Sequence, residues 1–167
     1  YLSNDNSYID EIQDLEIDDL LMRKSFTSDN EPLVSITKGK VVMVTGAGGS
    51  IGSEISRQII TLDIKTIILL DSSELSLYKI DFELKQKLNK EKRTKNIEII
   101  SILSSICNFD RVNNVVKLWK PDIIYHFAAY AAEGLSPFIR KFNYENNLIA
   151  STNLITCSIK YNVDRFI

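Results

Sequence analysis

The chain is poor in the residues that build metal sites and disulfide frameworks: two cysteines, one histidine, one tryptophan and three prolines in 167 residues. Cys107 and Cys157 are far apart, form no C-x-x-C and have no histidine at ligand spacing. They read as reduced, mostly buried thiols, and no metal is expected. No apolar run reaches the roughly 18 residues of a membrane span, and there is no charged-then-apolar leader. The expected setting is therefore cytoplasmic, with any membrane anchor of a longer parent lying outside these residues. A net charge of −2 leaves no electrostatic footprint for nucleic acid and little attraction to an anionic membrane, so the expected partner is a small molecule. Self-association into a homo-oligomer is neither required nor excluded. Glycine is scarce too, with six residues, which makes its placement informative.

Three of the six fall at Gly46, Gly49 and Gly52, directly after the apolar run Val41-Val42-Met43-Val44-Thr45 and ahead of a helical pattern. The spacing is G-x-x-G-x-x-G; a G-x-G-x-x-G would need glycine where Ile51 stands. Strand, tight turn and helix in that order make a phosphate cradle. Gly46 permits the sharp turn, Gly49 lets the backbone come close to a pyrophosphate, and Gly52 lets the helix sit close to the sheet. Free N–H groups near Ser50 and Ile51, at the positive end of the helix dipole, complete an anion site. The plainer alternative is a glycine turn that binds nothing.

The bulk composition, 44% apolar and 25% charged, is that of an ordinary globular domain. Residues 1–39 read as a lead-in that packs on the domain, with Asp18 placed to cap a short helix. From residue 40 short apolar runs alternate with helical periods. Strands are expected at 41–45, 66–70, 97–103 and 122–127, with a fifth beginning at 163. Helices are expected after Gly49, with an apolar stripe of Ile51, Ile55, Ile59 and Leu62, and at 73–90, 110–120 and 142–161. Continuous β-branched runs imply strands buried on both faces. The fold class is thus α/β, a Rossmann-type doubly wound parallel sheet of order 3-2-1-4-5. This domain would cover 40–167, with its fifth strand only begun, and the chain reads as a segment of a longer protein. The lysine-rich stretch at 85–95 reads as a solvated helix end.

Asp71 ends the second strand about 20 residues past Gly52, where a carboxylate accepts from both adenosine ribose hydroxyls and repels a 2′-phosphate. Ser72, with no Arg or Lys beside it, follows. NAD, and not NADP, is the expected cofactor. After the third strand Ser105 and Ile106 can flank the adenine. After the fourth, Ala128, Ala129 and Tyr130 let the backbone approach the phosphates and nicotinamide ribose. His126, at a strand end with no carboxylate or nucleophile at motif spacing, reads as structural.

These residues resemble a known family. Thr45-Gly46-Ala47-Gly48-Gly49-Ser50-Ile51-Gly52-Ser53-Glu54, Asp71-Ser72-Ser73-Glu74 and Tyr125-His126-Phe127-Ala128-Ala129-Tyr130 are similar to the extended short-chain dehydrogenase/reductases. Within them the chain looks most like nucleotide-sugar 4,6-dehydratases of the UDP-N-acetylglucosamine type, which serve surface-polysaccharide and glycan synthesis. Asp18-Asp19-Leu20-Leu21-Met22-Arg23 resembles the segment ahead of the Rossmann domain there, and Asn147 matches the family's asparagine of the fourth helix. The resemblance implies a UDP-sugar substrate: hydride leaves C4 of the sugar for NAD, water is lost across C5 and C6, and hydride returns at C6. Ala131-Ala132-Glu133-Gly134-Leu135-Ser136-Pro137 departs from the dehydratase Lys-His-Val-Pro and looks more like a set of nucleotide-sugar epimerase/dehydratases; an epimerase would return the hydride to C4. The family's catalytic Asp-Lys or Tyr-x-x-x-Lys would follow the fifth strand, so no catalytic residue is expected before Ile167. A non-catalytic NAD-binding module is the alternative from another class.

Overall fold

A computed structural model describes residues 36–90 and 97–167. The expected capping role of Asp18, the resemblance at residues 18–23 and most of the proposed lead-in lie outside the described residues. So do residues 91–96 of the lysine-rich stretch.

Five parallel strands carry the fold: β1 (Val41–Thr45), β2 (Thr66–Asp71), β3 (Glu98–Leu103), β4 (Ile123–His126) and β5 (Arg165–Phe166). Their order is β3-β2-β1-β4-β5, the Rossmann arrangement that the alternating pattern predicts. Helices α1 (Ser50–Ile59), α2 (Glu74–Lys90) and α3 (Phe109–Trp119) cross between successive strands. A fourth crossover runs through α4 (Arg140–Asn143), a π-helical turn (Tyr144–Ile149) and α5 (Ala150–Lys160) before β5.

Side chains alternate across a pleated strand, and here each parity has its own helices. Val42, Val44, Ile67 and Leu69 pack with Ile59 of α1 and with Leu77, Ile80 and Leu84 of α2. Met43, Ile68, Leu70 and Ile102 pack with Val112, Val115 and Val116 of α3 and with Ala150, Leu154 and Cys157 of α5. Two apolar layers thus enclose one sheet, which is why β1 and β2 are apolar without a break.

Four expectations change. Ile51 is 64% exposed and takes no part in the α1 stripe, whose buried residues are Gly52, Ser56 and Ile59. The cause is that the first turn of α1 projects past the end of the sheet. Strand β3 is an edge strand with exposed Glu98, Ser101 and Leu103, so burial on both faces does not extend to it. The last helical stretch starts at Arg140 and is interrupted by the π turn. Cys107 is exposed, because it falls in the turn ahead of α3, whereas Cys157 is buried in the core.

The element ends are fixed locally. The Ser73 hydroxyl accepts from the Ser76 N–H to cap α2, and the Asn108 side chain accepts from the Arg111 N–H to cap α3. At the amino ends of the strands the Asp122 carboxylate accepts from the Val41 N–H at 2.7 Å and from Lys40 Nζ at 3.0 Å, and Lys40 also reaches Asp164 at 2.9 Å.

Leu154 is fully buried while Ile159, on the same helix, is 75% exposed. Leu154→Ala should therefore lower stability by about 2–5 kcal/mol, and Ile159→Ala should change it by less than about 0.5 kcal/mol. Chemical denaturation midpoints of the two variants check this.

Candidate functional site

A cleft of about 370 Å³ opens at the carboxyl ends of the strands, beside the point between β1 and β4 where the strand order reverses. Open α/β sheets bind ligands there. Its floor is the turn from β1 into α1. Gly46 has φ +66°, and a β-carbon there would lie 2.7 Å from the Ala128 nitrogen, so the turn and the loop after β4 can touch only through glycine. A β-carbon on Gly52 would collide with the Gly46 carbonyl oxygen. Gly49, by contrast, has ordinary extended backbone at φ −72°, and a β-carbon there would meet only the Gly46 oxygen, at 3.3 Å. Space above it faces the cleft. Gly49 caps α1 without any side-chain hydrogen bond, so the first N–H groups of that helix have no side-chain partner and are donors for an anion.

Asp71 occupies the far wall. One carboxylate oxygen accepts from the Gly48 N–H and the other from the Ser73 N–H, each at 2.8 Å. The residue is 9% exposed and lines the cleft. Each carboxylate oxygen retains a further acceptor direction. Asp71 therefore joins the glycine turn to the start of α2 and still presents negative charge to the cavity.

The predicted residues separate into three groups. Gly46, Gly49, Asp71, Ser72, Ser105, Ile106, Ala128, Ala129 and Tyr130 all line the cleft. Ser50 and Ile51 are exposed on the first turn of α1 and Gly52 is buried beneath it, so these three can act only through backbone N–H groups and close packing. Asn147 does not line the cleft. Its amide oxygen accepts from the Tyr130 N–H at 2.8 Å and its amide nitrogen donates to the Tyr130 carbonyl at 3.0 Å, which clamps the loop from behind. Its neighbour Asn146 faces the cleft instead, together with Phe142, whose ring meets that of Tyr130 edge-on at 4.8 Å.

Sequence reading misses Gly48 and Ser76 as well. A β-carbon on Gly48 would come within 2.5 Å of Ser76 Cβ, so the start of α2 lies against the glycine turn. The doubled Gly48-Gly49 was the available signal, since only one of the pair is needed for the phosphate approach.

His126 is bonded at both ring nitrogens. Nδ1 lies 2.6 Å from Thr45 Oγ1 and Nε2 lies 2.8 Å from Ser151 Oγ. Burial lowers its pKa from the ordinary imidazole value of 6.5, which favours the neutral ring. The structure accords with a structural part for this residue.

No helix among the described residues is long and apolar enough to cross a membrane. Among the relatives of the chain is the probable polysaccharide biosynthesis protein EpsC of Bacillus subtilis, 34% identical over 157 residues, which cover 94% of this chain and 25% of that protein. The chain spans about a quarter of the length of the curated relatives it matches. Among solved structures, UDP-glucose 4-epimerase of Thermotoga maritima with UDP-glucose superposes with a TM-score of 0.61 at 25% identity, over 75% of this chain and 36% of that one. The Bordetella bronchiseptica enzyme WbmH in complex with NAD+ does so with 0.55 at 24%, over 76% and 37%. With residues 42–167 matching the family model described as polysaccharide biosynthesis protein, the chain belongs to that family.

Proposed function

We propose that this chain is the NAD-binding part of a nucleotide-sugar 4,6-dehydratase that acts on a UDP-sugar in the synthesis of surface polysaccharide or other glycans. The observation that carries the reading is the pairing of an open, glycine-lined turn with Asp71 across one cleft. The first supplies N–H donors for a pyrophosphate and the second an acceptor pair for ribose hydroxyls. Family membership and the NAD+ bound by WbmH support it.

In this reading the start of α1 holds the pyrophosphate against the exposed face of Gly49. Asp71 takes the adenosine ribose and disfavours a 2′-phosphate by charge. Ser105 and Ile106 bound the adenine, Ile106 from its buried position at the rim of the core. The backbone of Ala128 to Tyr130, braced by Asn147, meets the nicotinamide half. When bound, the nicotinamide supplies a hydride acceptor and then donor. The chain's own part is to orient that ring; neither an Asp-Lys nor a Tyr-x-x-x-Lys pair to move protons on the sugar is among these residues.

A 4-epimerase is the second reading, favoured by the likeness to UDP-glucose 4-epimerase. The two differ in product. A protein carrying the residues after Ile167, incubated with UDP-sugars, should release a product lighter by one water, as mass spectrometry would detect. A product of unchanged mass with inverted C4 selects the epimerase. The 167-residue chain alone should bind cofactor without turnover, and product formation by it would overturn the assignment of the catalytic groups.

Gly49→Val fills the space where the phosphates would lie, and its β-carbon presses only on the Gly46 carbonyl oxygen, at 3.3 Å. It should abolish NAD binding in calorimetry while the thermal transition stays within a few degrees of the parent. Asp71→Asn exchanges one of two acceptors for a donor facing an N–H. It should weaken NAD by about tenfold or more and narrow the preference over NADP, measured by titrating both cofactors.

A further inference from the structure

We infer that His126 is a positioning residue for the cleft: as the neutral imidazole carrying its proton on Nε2, it ties the loop from Ala128 to Tyr130 to the helix behind it. The inference rests on the cleft being the cofactor site, and it comes from the direction of six successive contacts.

At one end the Ala128 N–H can only donate, and it lies 3.3 Å from Thr45 Oγ1. Thr45 Oγ1 also lies 2.6 Å from His126 Nδ1, to which it can donate its proton or from which it can accept. At the other end the Asn147 carbonyl can only accept, and it takes the Ser151 hydroxyl proton at 2.7 Å. Ser151 Oγ must then accept from His126, at 2.8 Å, so Nε2 bears the hydrogen and, in the neutral ring, Nδ1 accepts from the Thr45 hydroxyl. Asn147 closes the circuit through its side chain, which holds Tyr130 by both N–H and carbonyl. Ala128, Thr45, His126, Ser151, Asn147 and Tyr130 form one ring of contacts, of which residues 128–130 are the segment facing the cleft.

A second proton on the imidazole breaks the order. It would sit on Nδ1 and point at Thr45 Oγ1, which would have to turn its own hydroxyl hydrogen away. Thr45 is fully buried, so that hydrogen would leave its present acceptor inside the protein. The groups facing the ring are Thr45 from β1, Ser151 from α5 and Phe166 from β5, its ring 5.7 Å away; the Ile167 carbonyl takes the His126 backbone N–H. No charged side chain is among them, and burial alone displaces the titration. The neutral form is favoured in the fold, so its contribution is whole above the unfolded value of 6.5 and is lost as pH falls from there towards the lowered folded value.

Nuclear magnetic resonance on the protein without cofactor reads the coupling directly. The Ala128 and Tyr130 amide signals should move with the same midpoint as the His126 ring, and in His126→Asn, which cannot titrate, those movements should vanish. Where His126→Asn fails to fold, the near-isosteric Thr45→Val serves: Ala128 should cease to follow the ring. With NAD, the parent should bind more weakly below the midpoint of the ring titration than at about pH 8, and His126→Asn should bind equally at both. Amide signals that ignore the ring titration, a Thr45→Val variant whose Ala128 still follows it, or a His126→Asn variant with the parent's pH dependence would each overturn the inference. Absence of NAD binding at about pH 8 would instead overturn the cofactor reading, and the cofactor-free spectra would still decide whether the ring of contacts acts as one.

Discussion

The Gly46 carbonyl oxygen lies where a β-carbon on residue 52 would have to be. This one exclusion fixes how close α1 comes to the end of β1. It sets where the first turn of the helix points its N–H groups and how much room remains above Gly49. From the same turn Gly46 touches the loop after β4, Gly48 touches α2, and the Gly48 N–H reaches Asp71. Three loops that are distant in sequence are thereby brought to one point. The cleft is what remains between them.

Most of the framework was legible in the chain because its cause is local. Continuous runs such as Thr66-Ile67-Ile68-Leu69-Leu70 can be buried on both faces only in a covered sheet, and the alternation with helical periods leaves little choice of topology. The candidate site was legible where backbone geometry demands a residue type, as at Gly46, or where a strand end positions a charge, as at Asp71. It was not legible where the assignment depends on helical phase. Nothing in Asn146-Asn147 tells which of the two faces the cleft, and the motif match selected Asn147, the one that braces the loop. Ile51 was misjudged for a related reason: it keeps helical spacing with Ile55 and Ile59 but lies one turn beyond the sheet.

The two ends of the sheet do different work. At the amino end, Asp122 and Asp164 gather around Lys40, whose ammonium is stabilised by hydrogen bonds to both carboxylates, first of all that of Asp164, so that its pKa is raised. These groups are largely solvated and hold strand ends in register with modest energy. At the carboxyl end the polar groups are uncharged or single: Thr45, His126 and Ser151 are joined by hydroxyls and an imidazole, and Asp71 has backbone partners. A site that must accept a polyanion gains from keeping fixed carboxylates few and well held.

The π turn at Tyr144–Ile149 bears on how this stretch can vary. Such a turn contains one residue more than the α-helix it interrupts. Removing one residue there would restore regular winding and leave the helix on either side nearly in phase, whereas removing one from α5, which has none to spare, would rotate everything ahead of it by about 100°. Asn146 and Phe142 would swing off the cleft, although no chemical group had been altered. The spelling of α5 is therefore freer than its length: substitutions are judged one side chain at a time, whereas a single deletion there would move a whole wall.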